Sequence, residues 1–196
     1  DCGMVQLGEI VHKERMFKNY VYISGTTDTM KSHFANFAKE IKEKFRTGLV
    51  IDVGGNDGTF LKEFKSLGMK TLNIEPATNI ADIARKNGIE TINDFWNTKV
   101  ANNVISKYGK AKVVTGTNVF AHVNDLDEFI EATKIVLEDD GIFIIEFPYL
   151  VDMIQNTEFD TIYHEHLSYI SLRPMISLFK RHGMEIVDAF RSKVHG

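Results

Sequence analysis

Leu49-Val50-Ile51-Asp52-Val53-Gly54-Gly55-Asn56-Asp57-Gly58-Thr59 decides the fold of this chain. Residues 49–53 are a short apolar, β-branched run that closes on glycines, as a buried parallel strand does. Helical spacing follows at Phe60, Leu61, Phe64 and Leu67, and Gly68 is placed to end that helix. A glycine-rich turn between a strand and a helix lets the backbone approach a ligand closely, because glycine carries no Cβ. The spacing is D-x-G-x-N-x-G, with Asp52 at the strand end and Gly54, Asn56 and Gly58 in the turn. It does not match the G-x-G-x-x-G that cradles a dinucleotide pyrophosphate at a helix N-terminus. Asp52 and Asp57 flank the turn; they would repel a pyrophosphate and suit a ligand with a cationic centre and an amino group.

Outward from this turn, strand-like and helix-like segments alternate. Strands are expected at 71–74, 89–92, 111–115 and 141–146, and helices at 77–87, 99–108 and 126–137. Such β-α repetition requires crossover connections, hence an α/β, Rossmann-like fold with a mostly parallel sheet and helices on both faces. Residues 32–45 read as a helix with Phe34, Phe37, Ala38, Ile41 and Phe45 on its apolar side, preceded by an aromatic arm at 20–25. Beyond Pro148 the alternation breaks, before an expected helix at 173–182 and strand at 184–190. Glu75 closes the second strand, where a carboxylate accepts hydrogen bonds from both hydroxyls of a ribose. With the glycine turn it points to S-adenosylmethionine. Asp94 and Phe95 follow the third strand, where an adenine would lie, although Phe95 and Trp96 serve a core equally well. Asn118 ends the fourth strand, at the crevice where open α/β sheets bind ligands.

The 196 residues allow one domain with a full core, and 43% hydrophobic with 26% charged residues is a globular composition. A formal net charge of -4 with scattered basic residues argues against nucleic acid as a partner. No apolar run is long enough to span a bilayer. The single cysteine, Cys2, excludes an intramolecular disulfide and fits the cytoplasm.

The second unusual stretch is Tyr163-His164-Glu165-His166, in the irregular region after the fifth strand. Four groups able to move protons or bind metal stand side by side, which structural segments seldom do because burying ionisable groups is costly. An extended backbone would put His164 and His166 on one face, as a metal site needs, but without a third local ligand. In a strand Tyr163 pairs with Glu165, and in a helical turn with His166; spacing leaves this open.

Together these stretches resemble the sugar C-methyltransferases, enzymes that use S-adenosylmethionine to methylate a ring carbon of nucleotide-linked ketodeoxysugars. The resemblance runs over essentially the whole chain, from residues 2–7 and 20–25 through 52–58, 74–76, 118–122, 146–150 and 159–169 to His195-Gly196. It implies a class I methyltransferase domain at 31–196 and an N-terminal arm at 1–30. The arm would be the remnant of a zinc-binding module with Cys2 its last zinc cysteine, and a C-terminal domain would be missing. Zinc would then belong to the full-length family member and not be held here.

Methylating a carbon needs a base, since carbon has no lone pair until it loses a proton beside the ketone. The resemblance makes His166 that base, with Glu165 orienting its imidazole and Tyr163 and His122 in the same crevice. Tyr20, Tyr22 and His164 are then expected at the substrate. Two other classes fit the residues: an O- or N-methyltransferase in which His166 deprotonates a hydroxyl or amine, and a non-catalytic S-adenosylmethionine-binding domain.

Overall fold

A computed structural model describes residues 3–192 and residue 194; Cys2 and His195-Gly196 lie outside the described residues. In chain order the elements are β1 (Val5–Gln6), α1 (Lys13–Phe17), α2 (Asp28–Phe45), β2 (Leu49–Val53), α3 (Thr59–Ser66), β3 (Lys70–Ile74), α4 (Thr78–Lys86), β4 (Thr91–Ile92) and α5 (Thr98–Tyr108). They continue with β5 (Ala111–Thr117), α6 (Leu126–Val136), β6 (Leu137–Glu146), α7 (Leu150–Asn156), β7 (Ser168–Tyr169) and α8 (Leu172–Arg181).

The main sheet has the order β4-β3-β2-β5-β6 and is parallel throughout. All five residues of β2 are buried, which is why that strand reads as a continuous apolar run. Its side chains alternate between two cores. Val50, with Val113 of β5, faces Phe34 and Ile41 of α2 and Phe60 and Phe64 of α3. Ile51 and Val53 face the opposite core, which includes Val104 of α5, Ile130 of α6 and Phe179 of α8. The Phe34 and Phe60 rings stack with centroids 4.7 Å apart and lock α2 onto α3. Helices thus cover both faces, as the β-α repetition requires.

The chain steps outward from β2 to β3 and β4, then returns across the sheet to add β5 beside β2. That reversal opens a crevice above the carboxyl ends of β2 and β5, where ligands of open α/β sheets bind. Gly54, Glu75 and Asn118 follow β2, β3 and β5 directly, so the topology alone gathers them. Among the described residues no helix is long and apolar enough to cross a membrane.

Two features depart from expectation, and a third adds to it. Residues 184–190 form no ladder: Met184 and Ile186 pack on the core, while Val187 and Phe190 are exposed. Their alternation reports one-sided burial without a partner strand. The last strand of the sheet starts at Leu137, four residues before the expected Gly141, and a register irregularity lies between Ala111 and Val113. Finally, the N-terminal arm is structured: β1 pairs antiparallel with β7, placing Val5 opposite Tyr169.

The C-terminal end of α8 is fastened to α6 by His182, whose Nδ1 lies 2.5 Å from Glu131 and Nε2 2.6 Å from Asp127, with Arg181 also on Asp127. Burial works against the charged imidazole, but the Glu131 and Asp127 carboxylates outweigh it and raise the His182 pKa. Stabilisation from this group is therefore complete below the unfolded-state histidine pKa of about 6.5 and disappears as pH rises through the higher folded value. We expect His182→Gln to cost up to about 1 kcal/mol near pH 6 and little near pH 9, measured by urea unfolding. An equal cost at both pH values would contradict a charged clamp.

Candidate active site

A cavity of about 910 Å³ occupies the crevice, lying in the upper part of the size range for small-molecule sites. Its wall divides into a half built by the sheet and a half built by the arm and the 158–167 segment.

The sheet half depends on a turn that only particular residues can make. Gly54 has φ +66°, and a Cβ there would sit 2.5 Å from Val119 Cγ2. Asn56 also adopts positive φ (53°), which asparagine tolerates better than most residues. It is held on every side: its N–H donates to Glu75 Oε2 (3.0 Å), its Oδ1 accepts from Ser24 N–H (3.0 Å), and its Nδ2 donates to the Tyr22 carbonyl (3.0 Å). Glu75 Oε1 accepts the Ala77 N–H at 2.8 Å. Each carboxylate oxygen thus has one backbone partner and spare lone pairs, and Glu75 lines the cavity. Burial pushes its pKa up to about 7 against the lowering effect of the Ala77 and Asn56 N–H groups.

Asn118, likewise on the wall, has φ +57°; its N–H donates to the Glu146 carbonyl (2.7 Å) and its Nδ2 to Glu146 Oε1 (3.3 Å). His33 Nε2 donates to the other Glu146 oxygen at 2.8 Å. Phe95 is on the wall, with the Lys13 ammonium 4.8 Å from its ring centre. Trp96 reaches the wall too, but it is 9% exposed and donates its indole N–H to the Thr133 hydroxyl (3.1 Å), an anchorage in the core.

The two carboxylates that flank the turn do not face the cavity. Asp52 is buried beneath the turn and accepts the Thr115 hydroxyl at 2.7 Å. Burial lifts its pKa to about 7, with Thr115 opposing and Glu75 adding. A Cβ on Gly55 would meet Asp52 and Asn73, so Asp52 forms the floor on which the turn rests. Asp57 accepts the N–H and hydroxyl of Thr59 at the start of α3. Both carboxylates therefore bond threonines of the protein, and the expectation that they meet a ligand's cation finds no support in their position. Gly58 is the left-handed residue before α3 and Asp94 is exposed, bonding only the Phe95 N–H; neither lines the cavity.

In the second half, residues 163–166 form a turn closed by the His166 N–H on the Tyr163 carbonyl (3.1 Å). The next residue is pinned twice, Leu167 N–H to the Ala121 carbonyl (2.8 Å) and Leu7 N–H to the Leu167 carbonyl (3.0 Å). The turn pairs Tyr163 with His166 and leaves His164 exposed and off the cavity wall, so the expectation of His164 at the substrate finds no support in its position.

His166 is 7% exposed, with Nδ1 2.8 Å from the Thr161 carbonyl and Nε2 3.0 Å from the Tyr163 hydroxyl. A carbonyl only accepts, so Nδ1 carries the hydrogen and Nε2 presents its lone pair. Burial lowers the His166 pKa, partly opposed by the Thr161 carbonyl and Glu165, which keeps the ring neutral at pH 7. The His122 ring packs edge-on to it with centroids 4.9 Å apart. Burial, followed by the charge of His166, pushes His122 down to about 4. Tyr20 donates to Glu165 Oε2 at 2.8 Å, and Tyr22 joins the same wall. The Thr161 carbonyl that fixes the tautomer carries no side-chain signal in the sequence, nor do the wall positions supplied by α1. Among the described residues no group of three or more His, Cys, Asp or Glu side chains is gathered to hold a metal.

Comparison with known proteins gives these features a context. A family model described as a methyltransferase domain matches residues 26–189. The chain is 32% identical over 198 residues to the C-methyltransferase NovU of Streptomyces niveus, a match covering all of this chain and 47% of that protein. The chain thus spans about half the length of the curated relative it matches. Among solved structures, an S-adenosylmethionine-dependent methyltransferase from Archaeoglobus fulgidus superposes with a TM-score of 0.65 at 13% identity, covering 78% of this chain and 68% of that one. The plantazolicin methyltransferase BpumL, in complex with a pentazolic desmethylPZN analogue and SAH, gives 0.61 at 15% identity over 80% of this chain and 65% of that one. These likenesses carry the fold, that of the class I methyltransferases, and the family match carries membership: the chain belongs to the methyltransferase domain family.

Proposed function

We propose that this domain transfers the methyl group of S-adenosylmethionine to a carbon beside the ketone of a nucleotide-linked deoxysugar, after His166 has taken that carbon's proton. The observation that carries the proposal is the buried imidazole with Nδ1–H fixed on Thr161 and its Nε2 lone pair in the same cavity as Glu75. The relative named a C-methyltransferase supports transfer to carbon.

The donor half fits a nucleoside. Gly54 lets Val119 pack directly against the turn, Glu75 offers two oxygens with spare lone pairs for a ribose diol, and Phe95 gives a flat apolar surface for a base. S-adenosylmethionine supplies an electrophilic methyl on a cationic sulfur.

All other steps fall to the protein. His166 Nε2 accepts the proton from the carbon next to the ketone, and the electron pair left behind passes into the carbonyl as an enolate. As the enolate returns to the ketone, its carbon would form the new bond to the methyl while the sulfur–methyl bond breaks with its electron pair on sulfur, leaving S-adenosylhomocysteine; the proton remains on Nε2 until solvent removes it. Tyr163, which holds the Nε2 lone pair in the absence of substrate, gives it up and donates to the enolate oxygen. His122, held neutral by burial, places no second positive charge beside His166 when that ring takes up the proton.

His166→Gln should lower kcat by about 10²–10⁴-fold and leave donor affinity within about twofold, since the base acts on the acceptor alone. NMR of the wild-type product should show a methyl on carbon; a methyl on oxygen or nitrogen would establish the other class of transfer. Donor affinity should weaken as pH falls below about 7, because Glu75 takes up a proton there and loses acceptor capacity. Glu75→Gln should bind donor more weakly with a flat pH profile by calorimetry, and an unchanged profile would remove Glu75 from the ribose site.

A further inference from the structure

Asn79, in the first turn of α4, faces away from the cavity and is exposed, yet it holds the arm by both edges of one residue. Its Oδ1 accepts the Tyr20 N–H at 3.1 Å and its Nδ2 donates to the Tyr20 carbonyl at 2.7 Å. The neighbouring Thr78 N–H donates to the Lys18 carbonyl at 3.2 Å. On the other side of Tyr20, Asn56 grips Tyr22 and Ser24 in the same two-sided way. Between these grips the Tyr20 side chain turns inward, packs on Phe17 (centroids 5.7 Å apart) and donates to Glu165.

We propose that Asn79 is a positioning residue for catalysis: it fixes the backbone of Tyr20 so that the hydroxyl meets Glu165 beside His166. The proposal rests on the function above only for its kinetic readout. An amide side chain bonding both the N–H and the carbonyl of one residue fixes the two peptide units that flank its Cα as a ladder partner would, which neither bond does alone. Two such bonds shift an equilibrium by about ten- to hundredfold. The arm has little else to set Tyr20: residues 18–23 belong to no helix or strand. Truncation of Asn79 opens no core, because the residue is exposed.

Two readouts test this. Burial, and then the Glu165 bond, raise the Tyr20 pKa well above the ordinary tyrosine range. In a spectrophotometric titration, Asn79→Ala should therefore show one additional tyrosine ionising near pH 10, a step that disappears in Asn79→Ala combined with Tyr20→Phe. Titration curves unchanged from wild type would overturn the clamp, whatever reaction the protein performs. In methyl transfer, Asn79→Ala should lower kcat about tenfold at unchanged donor affinity, with Asn79→Asp, which keeps the acceptor but loses the donor, in between. On a Tyr20→Phe background the same substitution should cost nothing further. Losses that multiply would show that Asn79 acts on something other than Tyr20 and overturn the assignment. If no acceptor is methylated on carbon, the function proposed above fails, and the titration alone still decides the clamp.

Discussion

Glu75 ties the sheet to the site through a hydrogen bond from the N–H of Asn56. The carboxylate stands at the end of β3 and the amide in the turn after β2, so one contact fixes the turn against the neighbouring strand. Asn56 sits at positive φ, and a backbone conformation of this kind persists only where its surroundings over-determine it. Here they do: the carboxylate holds its N–H, and its side chain is fully engaged with the arm. The turn also rests on Asp52, which Thr115 of β5 anchors from below. The sheet half of the cavity is thus set by two buried carboxylates that bond the protein, of which Glu75 alone also lines the cavity.

The acceptor half obeys a different constraint. Tyr163–His166 belongs to no helix or strand of the main sheet, and backbone bonds place it. Leu167 is caught between Ala121, just past β5, and Leu7 of the arm, and the Thr161 carbonyl then settles which imidazole nitrogen is free. An irregular segment held in this way keeps the His166 ring in one orientation, as the base proposed for it requires. The arm is therefore a wall of the site as well as a lead-in to α2, since it pairs with β7, lines the cavity and brings Tyr20 to Glu165.

The sheet was legible because hydrophobic periodicity records burial: β2 is wholly buried, β3 and β5 largely so, and the edge strands β4 and β6 are half-buried. The same logic misled at 184–190, where Met184 and Ile186 face the core without any strand to pair with. That Gly54, Asn56, Glu75 and Asn118 share one crevice was legible because strand ends in this topology converge there. That Asp52 and Asp57 lie off the cavity wall was not legible, because charge at a turn does not reveal whether a hydroxyl or an amide nearby bonds it, as Thr115 and Thr59 do. The pairing of Tyr163 with His166, against His164, depends on a turn set by long-range bonds, which no local spacing encodes. Asn79 left no trace beyond its place one turn after Glu75, because its role lies wholly in what it bonds across the fold.

The central claim is that His166 acts on a carbon acid. Incubation of the protein with a nucleotide-linked ketodeoxysugar in deuterium oxide, without methyl donor, tests this most directly. The account predicts that mass spectrometry will show one deuterium entering beside the ketone faster than in buffer, and that His166→Gln will abolish this exchange. Exchange no faster than in buffer, from a protein that nonetheless methylates the same sugar once donor is added, would contradict it.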